Sequence, residues 1–242
     1  MEIRLNKFLA ERLGLSRREA DEAITSGLVM IDGHVATLGA RVSEGSAVSY
    51  RGRPVEFSKE HTYLKFNKPA GYVCSRRKQG EAETIYALLP PEYQKLKTVG
   101  RLDKDSCGLL LLTDDGDLAF EMTHPRFMKY KVYVVALDRP LEPLHQQMIA
   151  DFGVELPDGK SRLDLACIDD DAVETLEPEH PKHPHRQLWQ VGMSEGRNRQ
   201  IRRTFAALGY RVTFLKRIQF DNILLGTLQE GKWEVLPERP KG

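Results

Sequence analysis

The chain has 242 residues, enough for one large domain or two modest ones that each bury a core, and two is the expectation. Its 36 Lys and Arg against 35 Asp and Glu leave a net charge of +1. That excludes a global pull toward polyanions or a membrane surface and moves the search to local patches. Cys74, Cys107 and Cys167 are far apart with no CxxC, which excludes a disulfide framework and fits a reducing compartment. The start is charged and helix-patterned, and no run nears the roughly 18 apolar residues of a membrane span, so a cytoplasmic protein without a membrane partner is expected.

In chain order, Leu5, Phe8, Leu9 and Leu13 share one helical face and Gly14 stops that helix. Ser16-Arg17-Arg18-Glu19 is a capping-box start for a second helix, whose buried stripe is Ala20, Ala23 and Ile24 and whose end is Gly27. Val29 and Ile31 then run into Asp32-Gly33, a hairpin signal. The polar stretch RGRPVEFSKEH reads as a linker with a short strand, and a domain boundary is expected near residue 60. Beyond it, strand-like runs (YLKFNKP, GLLLLT, YKVYVVAL, LWQVGMS) mix irregularly with helical ones at 85–89, 118–123, 144–151 and 199–208. This order predicts an α+β fold, a small N-terminal α/β module of residues 1–60 followed by a domain of residues 61–242 on a largely antiparallel mixed sheet. The Pro/His-rich PEHPKHPH reads as a loop.

Three stretches carry chemistry. GRLDKDSCGLLLLTDDG superficially mimics a calcium loop, but Cys107 stands where an oxygen ligand is needed, and four consecutive leucines belong in a buried strand. Asp114 and Asp115 read as an exit turn, whereas Asp103, two residues after Arg101 and next to a rigid strand, is a carboxylate held in a fixed place. In SEGRNRQIRRTFAALGYRVTFLKR, Ile201, Phe205 and Leu208 form a helix face that Asn198 can cap and Gly209 can end. Arg197, Arg199, Arg202, Arg203, Arg211, Lys216 and Arg217 face only Glu195 there, a pattern open between an anion site and a solvated basic face. In KYKVYVVAL, Lys131, Tyr133 and Val135 share one strand face.

The segment RLNKFLAERLGLSRREADEAITSGLVMIDGHVA resembles the S-four type of RNA-binding module, which implies that Lys7, Arg17, Arg18 and Arg41 face RNA phosphates. FNKPAGYVCS, GRLDKDSCGLLLLTDDGDL, KVYVV and EGRNRQIRR…LGYRVTFLKR resemble, in order and approximate spacing, pseudouridine synthases of the RsuA type, a family that modifies ribosomal RNA. The resemblance implies that Asp103 is the catalytic aspartate, that Tyr133 stacks on the target base and that Arg202 pairs with Asp103. It also makes Arg101, Arg197, Asn198, Arg199, Gln200, Arg203, Lys216 and Arg217 the expected RNA-binding set. Ser106-Cys107 and Thr204 are mild departures from the family pattern.

Isomerising uridine to pseudouridine moves the ribose from a ring nitrogen to carbon five with no redox change or net hydrolysis, so neither cofactor nor metal is expected. The expected partner is ribosomal RNA or a ribosome assembly intermediate, met by a monomer. Two rivals remain at this point: a non-catalytic RNA-binding assembly factor on the same fold, and a metal-dependent hydrolase using His180, His183 and His185, whose proline spacing suits ligation poorly. Deleting residues 1–60 should weaken RNA binding and flatten its salt dependence, each lost phosphate contact removing about 0.7–0.9 from the slope of log affinity against log salt. A binding titration across ionic strength reads this, and an unchanged slope would refute it.

Overall fold

The computed structural model describes residues 2–57, 60–168 and 188–240. The Pro/His-rich stretch with His180, His183 and His185 lies outside the described residues. The chain forms two compact units, Met1–Thr62 with Thr113–Gly116, and Tyr63–Leu112 with Asp117–Gly242.

The first unit opens with β1 (Ile3–Arg4) and α1 (Leu5–Leu13). Leu5, Phe8, Leu9 and Ala10 are its buried residues, while Leu13 is 37% exposed. Leu13 sits in the last turn, where Gly14 at φ 73° already turns the chain away. In α2 (Arg17–Thr25), Ser16 Oγ accepts from the Glu19 amide and the Glu19 carboxylate accepts from the Ser16 amide, closing the capping box. β2 (Val29–Ile31) and β3 (His34–Val35) pair through Asp32 at φ 50° and Gly33 at φ 83°, both left-handed as a type I′ turn needs. β4 (Arg41–Val42) pairs with β1, and β5 (Val48–Tyr50) lies between β2 and β6 (Arg53–Pro54) in a sheet ordered β3-β2-β5-β6. Leu5, Phe8, Leu9, Ile24, Val29 and Val48 fill the core of this unit.

The second unit is built on a nine-stranded sheet. Its strands in chain order are β7 (Tyr63–Lys68), β8 (Lys97–Val99), β9 (Cys107–Thr113), β10 (Lys131–Leu137), β13 (Asp164–Ile168), β14 (Leu188–Met193), β15 (Val212–Phe220), β16 (Ile223–Leu224) and β17 (Trp233–Val235). A separate hairpin, β11 (Val154–Leu156) with β12 (Gly159–Ser161), accounts for the numbers between. The sheet runs β13-β14-β10-β15-β9-β7-β17, with β8 on β9 and β16 on β15. β10 pairs antiparallel with β14 and β15, and β9 with β15 is parallel, so the sheet is mixed. Among the described residues the unit's α-helices are α3 (Gly116–Thr123), α4 (Pro143–Gln147) and α5 (Gln200–Ala207). α4 widens into a single π turn, Met148–Phe152, where one continuous helix over 144–151 is expected.

The leucine run is explained by burial on both faces of β9. Leu110 and Leu112 join the larger core with Phe66, Tyr133 and Phe205, whereas Leu109 and Leu111 join a second core with Leu118, Met122 and Phe220. A strand buried on both faces has no reason to alternate. The acidic end of that run is a structured corner: Asp114 Oδ1 accepts from the Thr62 amide at 3.0 Å, and the buried Asp115 donates its amide to Thr113 Oγ1 at 3.0 Å.

Two backbone irregularities set the geometry of the carboxyl-proximal strands. A bulge between Val132 and Tyr133 moves the register so that Tyr133 lies opposite Arg217. Gly108, at φ +99°, lies beside Arg217 on the other side of β15, and a Cβ there would stand 2.3 Å from the Arg217 carbonyl oxygen. Gly108→Ala should therefore lower stability by roughly 2 kcal/mol or more, from combined backbone strain and overpacking. A urea unfolding midpoint measures this; a change under about 0.5 kcal/mol would contradict it.

Candidate active site

A loop of residues 100–106 joins β8 to β9 and carries Asp103. Its shape is imposed from below by Lys68, the last residue of β7, whose side chain is fully buried. Lys68 Nζ donates to the carbonyls of Pro69 at 2.9 Å, Asp103 at 3.2 Å and Ser106 at 2.8 Å, so all three of its protons are spent on fixing backbone. Burial holds its pKa below the ordinary lysine value, opposed by the nearby thiols and carboxylates. The Ser106 amide closes the turn onto the Asp103 carbonyl at 3.1 Å, and the Gly71 amide donates to the Lys104 carbonyl at 2.7 Å.

From the opposite side, α5 supplies two arginines. Arg202 donates to the Asp105 carbonyl at 2.8 Å, to Ser106 Oγ at 3.2 Å and to the Val212 carbonyl at 3.0 Å, and its Nε stands 3.3 Å from Asp105 Oδ2. Arg199 grips Asp105 with both terminal nitrogens at 2.9 and 3.0 Å and places one of them 3.5 Å from Asp103 Oδ2. The expected pairing of Arg202 with Asp103 is thereby corrected: Arg202 engages Asp105 and the loop backbone, and the guanidinium beside Asp103 belongs to Arg199. Sequence spacing could not separate the two, because Arg199 sits at the helix N-cap in a left-handed conformation, φ 49°, that turns it toward the loop. The Arg199 hydrogen bonds hold the Asp105 carboxyl below the ordinary aspartate range.

Asp103, Arg101, Ser106, Lys131, Tyr133, Asn198, Arg199, Arg202 and Arg217 line one cavity of about 680 Å³ in the second unit. Tyr133, 8% exposed, contributes a wall from β10. Lys131 Nζ donates to the carbonyls of Lys129 at 2.8 Å, Glu195 at 3.2 Å and Ser194 at 3.4 Å, and stands 5.4 Å from the Phe220 ring centre. Among the described residues no group of three or more His, Cys, Asp or Glu side chains is placed to hold a metal ion.

The basic segment is not the free patch its local composition suggests. Asp158, on the turn between β11 and β12, accepts from Arg197 at 3.0 Å and binds Arg203 through both oxygens at 3.0 and 2.7 Å. Arg197 also donates to the carbonyls of Gly159 and Lys160 and to Glu195. Gln200 is buried, donating to Ser161 Oγ and Glu195 and accepting from the Arg197 amide. Arg217 is only 2% exposed. Of the residues expected to bind RNA, Arg197, Gln200 and Arg203 brace the β11–β12 hairpin against α5 and Arg217 is internal, while Arg197, Gln200 and Arg217 also line the cavity. Asn198 is exposed on the cavity rim and does not cap α5. Arg101 is exposed on the rim, and Lys216 is partly buried opposite Cys107. In the first unit Arg17 and Arg18 are exposed in the opening turn of α2, Arg41 is exposed on β4, and Lys7 lies 3.9 Å from Glu11.

Sequence reading gave no role to Lys68, Asp105, Lys131 or Asp158. A lysine closing the apolar run YLKFNK was a usable signal for the first, because a charge in a buried strand needs a reason. Nothing local marked Asp158, which meets its arginines from about 40 residues away, at separations of 39 and 45.

Comparison with known proteins places these features. Residues 62–207 match the family model described as RNA pseudouridylate synthase, and residues 3–48 match the S4 domain. A Yersinia pestis protein named ribosomal small subunit pseudouridine synthase A is 37% identical over 224 residues, covering 92% of this chain and 89% of that protein. The protein of the same name from Escherichia coli K12 is 34% identical over 238 residues, covering 98% and 97%. A crystal structure described as pseudouridylate synthase superposes with a TM-score of 0.64 at 32% identity, over 97% of this chain and 96% of that one.

The cavity's buried cation yields a pH test. Burial first, and the like charge of Arg217 second, lower the Lys131 pKa from 10.5 to about 8. Between those two values the folded chain binds fewer protons than the unfolded one, so this residue disfavours the fold below about pH 8 and the penalty lifts as pH rises toward 10.5. The stability difference between wild type and Lys131→Met, measured by urea titration, should shift in favour of wild type across that window. A difference independent of pH would show that Lys131 titrates normally.

Proposed function

Because the chain belongs to the RNA pseudouridylate synthase family, we propose that the rRNA uridine it isomerises lies in the small ribosomal subunit, with Asp103 as the catalytic carboxylate. The observation that carries the reading is Asp103 in the same cavity as Tyr133, on a loop clamped by Lys68, Arg199 and Arg202. The subunit assignment is supported by the Yersinia and Escherichia relatives, matched over nearly their whole length.

The chemistry asks for a carboxylate that is ionised, aimed and close to the ribose of an extruded nucleotide. Arg199 sets a guanidinium nitrogen 3.5 Å from Asp103 Oδ2, and the backbone clamps fix the direction of the side chain. Extrusion of a uridine costs a few kcal/mol, which stacking on an aromatic wall such as Tyr133 offsets. Arg202 acts as a positioning residue, holding the 105–106 backbone. Lys7, Arg17, Arg18 and Arg41 of the S4 domain supply phosphate contacts in the first unit, and in the second Arg101 and Asn198 supply them at the cavity rim.

Single-turnover conversion of small-subunit rRNA fragments or assembly intermediates tests this. Asp103→Asn keeps shape and removes charge, and should abolish product while leaving RNA affinity unchanged. Arg202→Ala should slow conversion about 10²-fold by letting the loop shift. Near-normal turnover by the Asn variant would remove Asp103 from the mechanism.

A further inference from the structure

Among the described residues, Arg217 makes no ion pair although it is 2% exposed. Its Nε donates to the Leu109 carbonyl at 2.7 Å, and its guanidinium carbon lies 4.7 Å from the Phe220 ring centre. One terminal nitrogen is buried with no hydrogen-bond partner. Leaving a donor of a buried cation unmade is costly, and a protein retains such a group where something else completes it. The side chain lines the cavity that holds Asp103, and its strand neighbour across the bulge is Tyr133. Gly108 on the other flank has no side chain to close over it.

Lys131 is the other deep cation here, but its ammonium is spent on three backbone carbonyls. Arg101 and Arg199 sit at the exposed rim. Arg202 Nε is also buried without a hydrogen bond, but it stands 3.3 Å from the Asp105 carboxylate. Arg217 is thus the deep cation with a spare donor and no carboxylate beside it, next to the ring on which the target base is proposed to stack. A phosphodiester belongs to the strand at the rim; what reaches this depth is the base.

We propose that Arg217 is a catalytic residue that donates to a uracil carbonyl and stabilises the negative charge of the ring while it is detached from ribose. The inference rests on the isomerase reading above. When the bond from C1′ to N1 breaks, its electron pair leaves with uracil, giving an anion spread over N1 and the two carbonyl oxygens. The electron-poor C1′ is relieved by Asp103, either by bonding to it or by taking a proton from C2′ that is later returned. The ring turns, C5 bonds to C1′ as Asp103 is released, C5 loses its proton and N1 gains one, so atoms and electrons balance. A fixed guanidinium donor in a dry pocket acts on the charge that develops and needs no rearrangement to do so.

The test compares Arg217→Met and Arg217→Lys with wild type on the same rRNA substrate, measuring RNA affinity, its salt dependence and the single-turnover rate. Arg217→Met should keep affinity and salt slope within about twofold and lose roughly 10²–10³-fold in rate, with Arg217→Lys recovering part of the loss. A rate within a few-fold of wild type overturns the proposal, as does weaker affinity with a normal rate at saturating RNA, which would make Arg217 a phosphate contact. Should Arg217→Met fail to fold by thermal unfolding, 5-fluorouridine at the target position decides. Fluorine makes the departing ring a more stable anion, so the gap in N1–C1′ cleavage rate between wild type and Arg217→Lys should narrow, and an unchanged gap overturns the proposal. Wild type that makes no pseudouridine would sink the isomerase reading and this one together; wild type active, Asp103→Asn inactive and Arg217 variants normal would sink this one alone.

Discussion

The Lys68 ammonium, held in a dry site by three backbone carbonyls, is the interaction on which the rest of the catalytic unit depends. An unpaired buried ammonium is heavily penalised, and among the described residues this one has no carboxylate in its hydrogen-bonding shell. Its compensation is therefore geometric. The carbonyls of Pro69, Asp103 and Ser106 must converge on one point, and the loop has few other shapes that bring them there. Arg202 completes the restraint from the opposite side by taking the Asp105 carbonyl and the Ser106 hydroxyl. Asp103 is thus aimed by groups that never touch its own carboxylate.

Electrostatics in the cavity are arranged in depth. At the rim, Arg199 divides itself between Asp103 and Asp105, and Arg101 and Asn198 are exposed. Deeper in, Lys131 and Arg217 both lie against Phe220, and carboxylates stay outside ion-pairing range of either among the described residues. Positive charge is therefore set in an exposed layer at the rim and a more buried one beneath it. Low dielectric makes the inner layer the stronger per contact.

Much of the fold was legible where its cause was local. Ser16 and Glu19 are three residues apart and cap each other; Asp32-Gly33 supplies two left-handed residues in succession; four leucines in a row between turn signals read as a strand covered on both sides. The position of Asp103 and Tyr133 in one cavity was legible through family resemblance. What escaped was pairing over distance. Counting charges along 194–217 gave one carboxylate against seven cations, but folding brings Asp158 onto Arg197 and Arg203 and Asp105 onto Arg199 and Arg202. Residue spacing on α5 likewise could not say which arginine faces Asp103, because that depends on the left-handed turn at Arg199.

The double burial of β9 carries a consequence for motion. A strand packed on both faces, with Leu109 to Leu112 all inside, exposes its amides to hydrogen exchange only when the surrounding sheet opens as a whole. Asp103 hangs four residues upstream of that strand, tied to it through the Ser106 turn. The exposed Lys104 and Asp105 between those two points are themselves tied, Lys104 by the Gly71 amide and Asp105 by Arg199 and Arg202. A loop anchored in this way moves with β9 rather than apart from it, so the direction of the carboxylate is as durable as the burial of the strand.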